Sequence, residues 1–198
     1  MPVDSLYGST TSKPIDEIDA IAHFRLDVAS HWDDHISFTR DAITSIMHDL
    51  EDLPTVVERL MMNQDDIGEI LAPHYGTEAA MSFAKLLKNH VSIAADVVRA
   101  VKKGESIAAL ETKWKENAVA IATLLHSLDP INWPKEVVLA IFLDHIICLR
   151  EAIVAHAAKK WAEEIIAYDK GHVVSNTLAD LIAKGIVNKF MGKFIHID

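Results

Sequence analysis

The chain has one cysteine, Cys148, in 198 residues. A single thiol can form neither a disulfide framework nor a thiolate metal cluster, so Cys148, set between Ile147 and Leu149, reads as a packed thiol in a reducing compartment. Glycine and proline are scarce, at 7 and 6, which removes collagen-like and low-complexity architectures. Long apolar runs are lacking too. Nothing approaches the ~20 residues that span a bilayer, and Val137 to Leu143 is among the longest stretches. Basic excess is absent: the formal net charge is −10. That balance argues against nucleic acid or an anionic membrane as partner, since both require a basic surface. The N-terminal stretch Met1 to Ile15 is rich in Ser, Thr and Pro and lacks the charged-then-apolar order of a signal peptide, so the expected location is the cytoplasm. The composition leaves homo-oligomerisation open.

What the chain does have is helix-forming sequence. Half of its residues are hydrophobic, and no segment shows the period-2 alternation of a strand. Turn and cap signals at Asp52-Leu53-Pro54, Pro73 to Gly76, Lys103-Gly104 and Asp129 to Pro134 divide it. They leave helical patterns at 16–49, 54–72, 77–103, 105–127, 134–158 and 160–189. Ser30 could cap a new helix inside the first, and no Gly or Pro marks the boundary between the fifth and sixth. The expectation is an all-α helical bundle over 16–190, with a disordered N-terminal tail at 1–15 and a C-terminal tail at 191–198.

The 11 histidines are the compositional outlier, and three of them repeat. The chain reads HISFTRDAITSI from His35, HVSIAADVVRAV from His90 and HIICLREAIVAH from His145, at an even spacing of 55. Each histidine follows Asp or Asn (Asp34, Asn89, Asp144) and precedes a β-branched residue (Ile36, Val91, Ile146). Each has an acid six positions on (Asp41, Asp96, Glu151). Such self-similarity predicts three tandem helical hairpins with a period of about 55 residues.

On a 3.6-residue helix, positions +4, +7 and +11 share a residue's direction. For His35 these are Thr39, Ala42 and Ile46; for His90, Ala94, Val97 and Val101; for His145, Leu149, Ala152 and His156. The three histidines therefore sit within apolar stripes, joined there by His31 and His156. The acids at +6 point more than a quarter-turn away. Matching depth along each hairpin sets Asn117 level with His90, His172 level with His145, and Glu69 and Ile70 level with His35, with Asp66 about a turn away. The first helices of the hairpins should run parallel, so their histidines could meet at one depth.

A layer of imidazoles inside a bundle suits a first-row metal. The candidate ligands are His35, His90, His145, His172 and His31, with Fe or Zn as the candidate ion in a storage, sensing or redox role. His31 and His35, at i and i+4, have the spacing for two ligands from one helix. A second reading makes each histidine a core hydrogen-bonder, copied by duplication, in a non-catalytic structural or interaction protein. A third is a hydrolytic enzyme using metal-bound water. The other histidines carry less: His48 lies off its stripe and reads as solvated, His74 and His126 sit near helix ends, and His23 and His196 have no context. Trp32, Trp114, Trp133 and Trp161 read as packing anchors, and Arg40 and Arg150 as partners of flanking acids. Glycine-rich phosphate loops, GxSxG and HExxH are absent. The repeat histidines also lack the ExxH pairing of di-iron bundles; a mixed centre would need acids such as Asp66 or Glu69 from other helices.

The motifs HISFTR (35–40), WKENA (114–118), DPINW (129–133), YDKGH (168–172) and LADLIAKGIVNKF (178–190) resemble a bacterial helical-bundle family of uncharacterised activity, whose members are often mislabelled acetylglutamate kinase. The resemblance covers roughly residues 30–190 and implies a helical bundle without a defined reaction. The kinase label does not suit this chain, which offers neither strands nor phosphate-cradling glycines. The chain departs from the family pattern at Val119, where that pattern has an acid, which weakens the second hairpin as a source of a charged ligand.

Overall fold

The computed structural model describes residues 13–194, with side chains from residue 18. It contains six long helices and two single turns: α1 (Lys13–His48), α2 (Leu53–Glu69), α3 (Ala72–Tyr75), α4 (Thr77–Lys103), α5 (Ala108–Leu128), α6 (Lys135–Ala157) and α7 (Trp161–Lys189), then a 3₁₀ turn over Met191–Lys193. No strand occurs among the described residues. No helix of the described residues is long and apolar enough to cross a membrane. The N-terminal tail expected at 1–15 lies outside the described residues up to residue 12, and Lys13 already opens α1. The C-terminal tail lies outside them at 195–198. At 191–194 the chain is instead ordered, and Phe194 packs on Phe24 with ring centroids 5.1 Å apart.

The six long helices form a closed circuit in chain order. Each of α1, α2, α4, α5, α6 and α7 packs on the next, and α7 returns to α1. Contacts of α4 with α1 and with α6 cross the middle. Successive pairs run antiparallel: Gln64 of α2 meets His35 of α1, Asn117 of α5 meets His90 of α4, and Glu164 of α7 meets His156 of α6.

Each pair turns over the same backbone device. Asp49, Gly104 and Lys159 adopt positive φ, at 52°, 72° and 57°. The next amide in each case reaches five residues back: Leu50 to Ser45, Glu105 to Ala100 and Lys160 to Ala155, at 3.0, 2.9 and 2.9 Å. This is the left-handed helix stop that satisfies orphan carbonyls. The three turn residues are spaced as the three histidines are. Glycine occupies only one of them, which is why the α6–α7 boundary carries no sequence mark. Ser30 does not interrupt α1. Its hydroxyl folds back onto the Asp27 carbonyl at 2.8 Å, a bond compatible with continuing helix.

The core follows the apolar stripes. Phe83, Trp114, Ile121, Leu125, Trp133, Phe142, Ile153 and Ile182 are fully or almost fully buried. Trp133 lies against α7, its indole donating to the Leu181 carbonyl at 3.1 Å. Gly185 is required there, because any side chain would collide with that indole. Trp32 is also buried, but Trp161 is half exposed and sets an edge against the His156 ring. It does not anchor the packing as expected.

Candidate functional site

The parallel run of α1, α4 and α6 brings His35, His90 and His145 together, all buried. His145 sits between the other two, its ring centroid 5.9 Å from that of His35 and 5.7 Å from that of His90. The two remaining candidates are elsewhere. His172 turns to the surface and lies 2.9 Å from Asp33 of α1. His31 is partly exposed and faces Asp27 on its own helix at 3.9 Å. A side chain at the level of His145 can leave the core when its Cβ falls toward the α1–α7 seam, and for His172 it does. Among the described residues no group of three or more His, Cys, Asp or Glu is placed to hold a metal ion.

The three rings differ in what their nitrogens meet. At His90 the Trp114 indole, a donor only, gives its N–H to Nε2 at 2.9 Å. The ring proton must therefore sit on Nδ1, which donates to Asn117 Oδ1 at 2.8 Å. Asn117 is oriented in turn by its amide N–H to the Leu86 carbonyl at 3.1 Å. His90 is a neutral ring of fixed tautomer with both nitrogens engaged, and as placed it has no lone pair to offer an ion. Asn117, set level with His90 by depth along the hairpin, is where that reading put it.

At His35 the partner is Gln64, not the expected Glu69 level. The Gln64 amide nitrogen lies 2.8 Å from the Leu60 carbonyl, 3.1 Å from Asn63 Oδ1 and 3.1 Å from His35 Nδ1. Two oxygen acceptors fix the amide's orientation, so its nitrogen end, whose two N–H bonds are shared among three acceptors, faces His35 Nδ1 and favours a lone pair there. Its proton belongs on Nε2. Asn63 bonds the His31 carbonyl at 2.9 Å, much as Asn117 bonds Leu86. Asp66 is drawn outward to Arg59 at 3.3 Å. His145 has no comparable hydrogen bond among the described residues.

Burial keeps all three rings neutral. Desolvation, with repulsion from His145, lowers His35 to about 3. Desolvation alone lowers His145 to about 4. Desolvation and then His145 hold His90 well below the usual imidazole value.

A cavity of about 240 Å³ opens beside the rings, walled by Ala42, Ile43, Ile46, Leu60, Ala94, Val98, Leu149 and Ile153. His35, His90 and His145 form its polar end. Asp96, the acid six positions after His90, stands at the rim with Arg99 3.0 Å away. A smaller cavity of about 30 Å³ lies on the other side of His145, bordered by Thr39, Cys148, Tyr168 and Glu164.

Outside this cluster, His48 is exposed, as its place off the stripe implied, but it also has a partner. Its Nε2 lies 3.0 Å from Nε2 of buried His156. Its stripe position gave no hint, because a residue in the last turn of α1 meets α6 and not its own hairpin partner. Arg40 stacks over the Tyr168 ring at 4.8 Å and pairs with no acid among the described residues, whereas Arg150 reaches Glu111 at 3.2 Å. No family model, curated protein or solved structure matches the chain.

Proposed function

We propose that the protein binds a small, mainly apolar molecule in the cavity between α1, α2, α4 and α6, with one hydrogen-bonding group of the ligand directed at His145 and His35. The observation that supports this reading is an apolar-walled cavity of about 240 Å³ ending in neutral imidazoles, of which His145 has no hydrogen-bond partner among the described residues. Sites of this kind combine apolar walls with a few polar groups that set orientation. The volume exceeds the roughly 150 Å³ that admits benzene, so an aromatic alcohol or azole is the fitting class. Calorimetric titration with phenol, indole and imidazole tests it. At least one should bind saturably, with affinity lowered tenfold or more in H145L and lost when A94L fills the cavity. If none binds saturably, the reading fails.

A second reading keeps the first-row metal, Fe or Zn, with His35 and His145 as its ligands and the remaining positions given to a bound molecule. It is favoured by the two adjacent neutral rings. It requires the Gln64 amide to turn its oxygen toward His35 Nδ1, so that the ring proton sits there and Nε2 is free to ligate. His90, His31 and His172 take no part in it, and His90 fits the structural role instead. Elemental analysis of untagged protein after repletion should find stoichiometric metal that H145N loses. Metal retained in an H35N/H145N double variant would exclude this centre.

A further inference from the structure

The bundle holds a second imidazole pair at the end where α1 and α6 finish. His48 and His156 approach with Nε2 atoms 3.0 Å apart and ring centroids 5.1 Å apart. Behind the His156 ring, Glu164 Oε1 lies 3.1 Å from Nδ1. Both His156 and Glu164 are buried, while His48 is exposed. The Nδ1 atom is not aligned on the Glu164 oxygen for a hydrogen bond, so the contact is a close approach of carboxylate and ring. We propose that His48 and His156 form a binding site for a divalent first-row cation, Zn(II) or Cu(II), with Glu164 as the residue that positions His156.

Three features of the geometry converge on this. A metal–nitrogen bond of about 2.0–2.1 Å places two nitrogens of one ion roughly 3 Å apart at a right angle and about 3.3 Å apart in a tetrahedron. The observed separation falls within that interval. A carboxylate on the far nitrogen of a ligating histidine is the arrangement that fixes tautomer and ring direction in metal sites. The Glu164 carboxylate 3.1 Å from Nδ1 favours the tautomer with its proton there, and in that tautomer the His156 Nε2 lone pair faces His48. Finally, α1 ends at His48 and α6 at Ala157, so the negative ends of two helix dipoles lie at the pair and favour a cation. Exposure of His48 leaves the other coordination positions to water. Neither histidine lines the large cavity, so the site does not depend on the ligand reading above.

Titration of the full, untagged chain with Zn(II) by calorimetry, and electron paramagnetic resonance of the Cu(II) form, test the assignment. The wild type should bind one Zn(II) saturably, and its Cu(II) spectrum should show two nitrogen donors. H48N, at an exposed position that folding tolerates, should bind Zn(II) at least tenfold more weakly and show one nitrogen. E164Q should weaken binding about 10- to 100-fold with circular dichroism unchanged, and H23N, on the exposed face of α1, should match wild type. Equal affinity of H48N and wild type, or absence of saturable binding, overturns the site. Phenol, indole or imidazole binding to H48N at wild-type strength would show that the cavity and this pair act separately; its loss in H48N would overturn their independence.

Discussion

The α4–α5 and α6–α7 hairpins bury a histidine at the same register and treat it in opposite ways. In the first, α5 supplies Trp114 and Asn117, and both nitrogens of His90 are engaged. In the second, the α7 residue 55 positions after Asn117 is His172, which faces Asp33 at the surface. Gly171 beside it brings only backbone toward Cys148. His145 is thereby left in an apolar wall without an oriented acceptor or donor. A shared position in a repeated pattern thus fixes depth and direction, while the partner helix decides whether the ring is a tie within the core or a group available to something bound.

Acid should expose what the hairpins share. Each ring titrates near 6.5 in an unfolded chain and far lower when folded. Their contribution is therefore fully present above about pH 6.5. It is lost as pH falls, because the unfolded chain takes up protons first, and the loss continues until the folded values of about 4 for His145 and about 3 for His35 are reached. The slope is about 1.4 kcal/mol per pH unit for each histidine, so three should remove roughly 6 kcal/mol between pH 7 and pH 5. Urea unfolding at pH 7, 6 and 5 measures this. A flat profile would mean that the rings are not neutral in the fold, and H145L should reduce the slope by about a third.

Substitution at pH 7 should then separate the hairpins. N117A strands the His90 Nδ1–H in the core and removes the side-chain bond to the Leu86 carbonyl, at a cost of about 2–4 kcal/mol. Its melting temperature should fall by roughly 5–15 °C. H145L removes no hydrogen bond and keeps similar volume, so its stability should stay within about 1 kcal/mol of wild type. Equal losses in the two variants would erase the contrast between a tied ring and an open one.

The helices and the inward register of the histidines were legible in the sequence because a 3.6-residue period and strong turn signals state them directly. Partners were legible only where the turn was placed correctly. Reversal at Gly104 set Asn117 opposite His90. In the first hairpin the chain reverses at Asp49, a few residues before Pro54, so Gln64 and not Glu69 reaches His35. Asp49 and Lys159 hold left-handed conformations usually left to glycine, and no local signal announces them. The fate of His172 and the meeting of His48 with His156 depend on which helix lies across a seam, and that is fixed by packing between hairpins and not by periodicity within one.

The circuit of helices also sets an order of assembly. Inside the α4–α5 hairpin the histidine contacts span 24 and 27 residues, whereas the α1–α7 seam joins Asp33 to His172 and Arg25 to Asp180 across 139 and 155. Closing short loops is entropically cheaper than closing long ones. Hairpins should therefore form early and the α1–α7 seam last, so that in native-state hydrogen exchange the amides of α4 and α5 open only with the whole fold while those along the seam open first.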